Sequence, residues 1–223
     1  SQAELKWIDV KPCGLFHFAA AWEESPDMVV VVGSRLPSVD INGFADTATE
    51  KGKASDHIVQ GRLHEWRLDV RRGVCVSERY LSSHPVDFVQ IDPARVGRKA
   101  RYVYAARFET LKSNIPPEYR GALYLSNGLV KFDLEAGTQK EVTYTTRTVA
   151  LGYGGEPVFA RFADRDPLDE DAGCVLVLVH DEAAQTTDLC VFNAKTLDLH
   201  ARVLLKRRVP HGFHSYWNEA MSG

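Results

Sequence analysis

Of the eight histidines in the sequence, two sit in company that suits a buried imidazole. His17 lies within Leu15-Phe16-His17-Phe18-Ala19-Ala20-Ala21-Trp22-Glu23-Glu24, and His214 within Arg208-Val209-Pro210-His211-Gly212-Phe213-His214-Ser215-Tyr216-Trp217. A buried imidazole has two ring nitrogens to satisfy, and a metal on one with a carboxylate on the other does so efficiently. Taken singly, each is also explained by the commoner case of a packed core histidine. No HxH or HxxxH spacing places two ligands on one element. His211 and His214, separated by Gly212 and Phe213, are weak evidence for a pair. His64 and His180 fall in strand-like runs and read as packed or capped. His57 and His200 have polar neighbours and read as surface residues, and His84 precedes Pro85 in a turn.

The elements that would position these side chains are strands. Short runs rich in Val, Tyr, Phe and Leu occupy 28–34, 62–70, 74–80, 100–108, 128–134, 139–146, 156–162, 173–180, 187–194 and 198–205, separated by Gly, Pro, Asp and Asn. That pattern predicts an all-β domain. Alternation in Arg62–Leu68 and Arg101–Tyr104 predicts strands with one wet face. The acidic run Asp164–Asp171 and the segment Lys51–Asp56 read as surface loops. A strand–turn–strand unit recurs at Asp69 in Leu68–Gly73, at Asp133 in Phe132–Gly137 and at Asn193 in Phe192–Leu197. Repetition at such a period suggests propeller blades with insertions, although any antiparallel protein can produce such turns. About three to four blades would fit, fewer than most propellers need to close, so part of the ring lies elsewhere.

The bulk properties exclude several classes. Hydrophobic residues are 44% and charged residues 26%, as in a folded globular chain, and the net charge of −3 gives no nucleic-acid footprint. The longest apolar stretches, Met28–Val32 and Cys174–Val179, are too short to cross a bilayer. Cys13, Cys75, Cys174 and Cys190 contain no CxxC pair and read as reduced, mostly buried thiols. The sequence starts at Ser1 without a signal peptide or acylation motif and reads as cut from a longer chain.

Several motifs, in order, resemble one family. Phe16-His17 with Ala21-Trp22-Glu23-Glu24 and Val29–Ser34 is similar to the stretch around the third iron-binding histidine of the carotenoid cleavage dioxygenases. Asp87-Phe88, followed by Gly97-Arg98-Lys99 and Arg101-Tyr102-Val103-Tyr104, resembles the family's acidic-Phe-Pro segment and the strand after it. Tyr153-Gly154-Gly155-Glu156-Pro157-Val158-Phe159 resembles its Gly-Gly-Glu-Pro element. Asp169–Gly173 leading to Val179-His180-Asp181-Glu182, then Asn193–Leu197, and finally Arg208–His214 complete the set, which covers essentially the whole chain. Within the family, the plant and algal 9-cis-epoxycarotenoid dioxygenase type looks nearest.

The resemblance implies the C-terminal portion, residues 1–223, of a single seven-bladed β-propeller carrying Fe(II) on its axis. It implies a ligand set of four histidines, of which His17 matches the third and His214 the fourth, the first two lying upstream of Ser1. Glu156 matches a carboxylate that orients His214, and Asp87 stands where another orients His17. The implied reaction is cleavage of a conjugated C=C bond of a carotenoid or apocarotenoid by O₂ to carbonyl products. Relatives that cleave stilbene-type olefins, or a propeller fragment acting only as a binding module, are alternatives. Plastid location is the family expectation, and any peripheral membrane contact would involve the upstream half. The sequence departs from the family pattern at Ala19-Ala20-Ala21, where an Asn is usual, at Val89 for Pro and at His211 for Tyr. Asp87 is one methylene shorter than the usual Glu.

Overall fold

The computed structural model describes residues 5–37, 61–108, 126–166 and 168–218. His57 and Lys51–Asp56 lie outside the described residues.

Each of three antiparallel sheets is a meander in chain order. The first, blade A, comprises β1 (Gly14–Ser25), β2 (Met28–Leu36), β3 (Arg62–Asp69) and β4 (Val74–Tyr80). Blade B comprises β5 (Val86–Gln90), β6 (Tyr102–Arg107), β7 (Gly128–Asp133) and β8 (Thr138–Thr143). Blade C places both β9 (Tyr153–Gly154) and β10 (Val158–Arg161) on β11 (Gly173–Asp181), followed by β12 (Thr186–Asn193) and β13 (Leu199–Leu204). All ten strand-like runs of the sequence are strands. The repeated turn is real too, and each copy closes the outer hairpin of one blade. The backbone N–H groups of Gly73, Gly137 and Leu197 donate to the carbonyls of Asp69, Asp133 and Asn193 at 2.8, 2.9 and 2.8 Å. The side-chain oxygen of each Asp or Asn also caps turn N–H groups, as Asx turns do. The closing residue is left-handed in all three, with φ of 68° at Gly73, 65° at Gly137 and 58° at Leu197. Leu197 bears that conformation because its side chain is buried in the core between blades B and C.

Blade B is buried on both faces. Val103, Ala105, Val130 and Phe132 pack against Trp22, Val30, Val32 and Leu63 of blade A. Their alternates Tyr104 and Leu129 pack against Phe159, Val175, Val177 and Phe192 of blade C. The expectation of one wet face for Arg101–Tyr104 is therefore wrong: Val103 and Tyr104 are both fully buried, because a blade between two others has no wet face. The same holds for Arg62–Leu68. Leu63 faces blade B, while His64 and Trp66 are buried on the other side, where the residues before β1 lie over the sheet. Pro12 accepts a hydrogen bond from Arg35, and Lys11 pairs with Glu78 at 3.4 Å.

The acidic run is only partly a surface loop. Asp164 and Asp166 are exposed, but Glu170 and Asp171 are buried and fasten blade C to blade B. Glu170 accepts the backbone N–H groups of Arg101 and Tyr102 at 2.7 and 2.8 Å. Asp171 takes Lys131 Nζ at 2.6 Å, and that ammonium also lies 4.0 Å from the centre of the Tyr102 ring. Asp92, at the N-terminus of the short 3₁₀ turn Pro93–Arg95, pairs with Arg161 across the same seam. Of the four free cysteines only Cys190 is buried, so the expectation of mostly buried thiols fails. Small side chains at strand ends do not need the core.

Breaking the Lys131–Asp171 pair from one side leaves a buried carboxylate with only the longer contact, 3.8 Å, to the exposed Lys195. Lys131→Met should lower stability in chemical denaturation by about 3 kcal/mol, and Lys131→Met with Asp171→Leu should recover most of the loss.

Candidate metal centre

The three strands that periodicity does not reveal, β1, β5 and β9, carry or adjoin the candidate site residues, and an irregularity explains the omission. Each inner edge strand holds at least one residue more than its partner at the site. On β1, Leu15 to Phe18 stands against the shorter stretch Arg35 to Gly33, and His17 lies in the extra space. On β5, Asp87 to Gln90 stands against Ala106 to Tyr104. Between β9 and β10, Gly154 to Val158 faces Val179 to Leu176, and Glu156 lies in the excess. A β-bulge breaks the two-residue period and re-aims a side chain. The signal used to find strands is therefore weakest where the site is built.

The bulges bring His17, Asp87, Glu156 and His214 together. His17 Nδ1–H donates to Asp87 Oδ1 at 2.9 Å, from blade A to blade B. Asp87 thus reaches the imidazole despite its short side chain. His214 Nδ1–H donates to Glu156 Oε2 at 3.2 Å, and the same oxygen accepts the backbone N–H of Ser215 at 2.6 Å. The two imidazoles are 5.3 Å apart between centroids and nearly perpendicular, at 76°. Phe88 lies against both, with its ring centre 5.1 Å from that of His17 and 5.9 Å from that of His214. The hydrogen bond to Asp87 raises the pKa of His17; burial opposes it, and the negative charges of Asp87 and Glu156 reinforce it. Glu156 is buried, whereas the side chain of His214 is 57% exposed, so this ring is backed by protein and open on its other side.

With Nδ1 of each ring committed to a carboxylate, Nε2 is the nitrogen whose lone pair is available. That is the tautomer a metal-bound histidine needs, and the carboxylate behind it increases its donor strength. Two neutral imidazoles suit a first-row divalent cation such as Fe(II). Among the described residues, no group of three or more His, Cys, Asp or Glu side chains could hold a metal.

His214 reaches the site on a strap that follows β13, and the strap is pinned before it arrives. Val209 N–H donates to Thr187 Oγ1 at 3.1 Å. Arg208 donates to both carboxylate oxygens of Glu182 at 2.9 and 3.1 Å, and His211 Nε2 meets Oε1 of the same group at 2.8 Å. His211 thus turns away from His17 and packs on His180, with ring centroids 4.0 Å apart. Burial works against ionisation of Glu182, but hydrogen bonds from Arg208 and His211 outweigh it and its pKa falls. His180, nearly inaccessible, bonds Thr187 through Nδ1 at 3.0 Å. Burial and then the neighbouring His211 push its pKa down to about 4. His64 is likewise buried, His200 is exposed as expected, and His84 lies 3.6 Å from Glu141. The pinning roles of Glu182, Thr187 and Arg208 escape sequence reading, because a long-range hydrogen bond leaves no local spacing.

Stability should depend on pH through His180. The unfolded chain takes up its proton near pH 6.5 and the folded chain only near 4. The contribution is therefore complete above about pH 6.5 and is lost progressively as pH falls to about 4, for a total on the order of 3 kcal/mol. Chemical denaturation across this window should show that slope in the parent chain and a flatter one in His180→Gln.

The sequence matches the family described as Retinal pigment epithelial membrane protein (RPE65) over residues 1–219. It is 34% identical over 224 residues to a carotenoid 9,10(9′,10′)-cleavage dioxygenase of Crocus sativus, covering 96% of this chain and 38% of that protein. It is 31% identical over 218 residues to a probable carotenoid cleavage dioxygenase 4, chloroplastic, of Arabidopsis thaliana, covering 96% and 33% respectively. The fold is similar to that of cobalt-substituted Synechocystis ACO, with a TM-score of 0.76 at 24% identity, over 97% of this chain and 42% of that one. The chain thus spans between a third and two fifths of the length of these curated relatives. With three packed antiparallel blades and motifs matched end to end, the chain belongs to the RPE65/carotenoid oxygenase family.

Proposed function

We propose that this chain is the C-terminal portion of a single propeller domain and supplies two histidines, His17 and His214, of a four-histidine Fe(II) site. The enzyme would be a dioxygenase that splits a conjugated C=C bond of a carotenoid or apocarotenoid, one O₂ and one alkene giving two carbonyl products. The observation that carries this reading is the pairing of each imidazole, through Nδ1, with a carboxylate from another part of the fold, the two rings lying 5.3 Å apart.

The chain's own residues divide the work. Asp87 and Glu156 hold the Nδ1–H tautomer and leave Nε2 of His17 and His214 as the nitrogens that would hold the metal. Bound there, Fe(II) would supply the O₂ chemistry that protein side chains lack. The exposed Phe213 packs edge-on against both Phe88 and His214, so the centre has an aromatic, apolar flank suited to a polyene. The relative whose name places it in the chloroplast supports a plastid location for this protein as well.

Fe(II) titration of the native gene product that carries these residues tests the assignment. His17→Ala and His214→Ala should each weaken Fe(II) binding at least about tenfold and abolish O₂-dependent polyene cleavage. Metal uptake equal to that of the parent protein in either variant removes that histidine from the ligand set. The 223-residue chain alone should show little or no cleavage, since two imidazoles bind Fe(II) weakly. Robust turnover by it would refute the division of the site.

A further inference from the structure

We propose that Gln90 is a positioning residue for His214, acting through Glu156; the inference rests on His214 being a metal ligand. Gln90 Nε2–H donates to Glu156 Oε1 at 2.9 Å. The other oxygen, Oε2, serves the backbone N–H of Ser215 and Nδ1–H of His214. The carboxylate is therefore held at both ends, and the end that faces His214 is determined by the end that faces Gln90. Remove the amide, and a buried oxygen loses its donor while the carboxylate becomes free to turn about its last torsion. A buried acceptor left unpaired is costly enough to drive such a rearrangement.

The backbone is arranged to make this contact. In a regular strand, residues three apart point to opposite faces. Asp87 and Gln90 are three apart, yet Asp87 pairs with Ala106 and Gln90 with Tyr104, so the extra residue between them restores a common side. The bulge includes Phe88 at φ 50°, a conformation that bulky residues rarely adopt. Strain of this kind persists where surrounding contacts over-determine it, and it gathers at functional sites. One strand thereby serves both imidazoles, His17 directly through Asp87 and His214 at one remove through Gln90 and Glu156. The neutral amide is suited to the task. It fixes Glu156 without neutralising the charge that holds His214, which an arginine or lysine would do.

The test uses the native gene product carrying these residues, with Co(II) as a spectroscopic probe of ligand geometry. Gln90→Leu is expected to weaken Co(II) binding about tenfold and to shift the visible Co(II) absorption, with the melting temperature recorded alongside. Gln90→Asn, which keeps the amide but is one methylene short, should give the same change, and it carries the test if Gln90→Leu does not fold. A positional role predicts the spectral shift; loss of stability alone does not. Parent affinity and spectrum in the Gln90 variants, with affinity lost in His214→Ala, overturn the role of Gln90 and leave the ligand assignment intact. Parent affinity in His214→Ala overturns the ligand assignment itself.

Discussion

Extra residues in the inner edge of each blade are the constraint on which the site depends. A regular strand sends its side chains alternately to its two faces, and in blade B both faces are committed to neighbouring blades. Such a strand has no side chain to spare for a centre at its edge. The bulges at His17, at Phe88 and Val89, and around Glu156 supply one. Hydrogen bonds then cross all three blades, from His17 to Asp87, and from Gln90 to Glu156 to His214. Asp87 and Gln90 share β5, while their partners come from β1, from the connection between β9 and β10, and from the terminal strap. The geometry therefore exists only when the blades are stacked in register.

Stacking is secured by two kinds of interaction that do different jobs. The apolar seams between blades A and B and between B and C supply the bulk of the burial. Hydrophobic contact is nondirectional, however, and tolerates small slides. Buried polar clasps remove that freedom across the B–C seam: Lys131 with Asp171, Arg161 with Asp92, and Glu170 on the backbone of Arg101 and Tyr102. Buried ion pairs contribute little net stability once desolvation is counted, and their geometric demands suit them to setting register. A slide between B and C would separate Gln90 from Glu156, so these clasps and the site are coupled.

The strap adds a condition of its own. His214 lies near the end of the described chain, and its carboxylate lies in blade C, 58 positions earlier. His17 and Asp87 are 70 positions apart. Contacts of such sequence separation cost loop-closure entropy, which the packing of the blades must offset. Glu182 and Thr187 catch Arg208, Val209 and His211 and so deliver His214 with few remaining degrees of freedom. His211, where the resemblance leads one to expect Tyr, belongs to this anchorage and keeps clear of the two candidate ligands.

The sequence by itself determined the fold class and most of the strands, because the period-2 pattern and the Asp or Asn turns are local and repeat with each blade. It also singled out His17, Asp87, Glu156 and His214, through motifs that resemble a family. Other features were decided only by the tertiary structure. Strands β1 and β5 break the alternation that reveals strands, because their bulges serve the site, and β9 is only two residues long. Burial of both faces of Arg101–Tyr104, and of Glu170 and Asp171 in an acidic loop, depends on which neighbour lies opposite. Gln90 carries no motif of its own. Its partner is 66 positions away, and only a bulged strand on one blade facing a carboxylate on the next turns an ordinary glutamine into a support for a histidine.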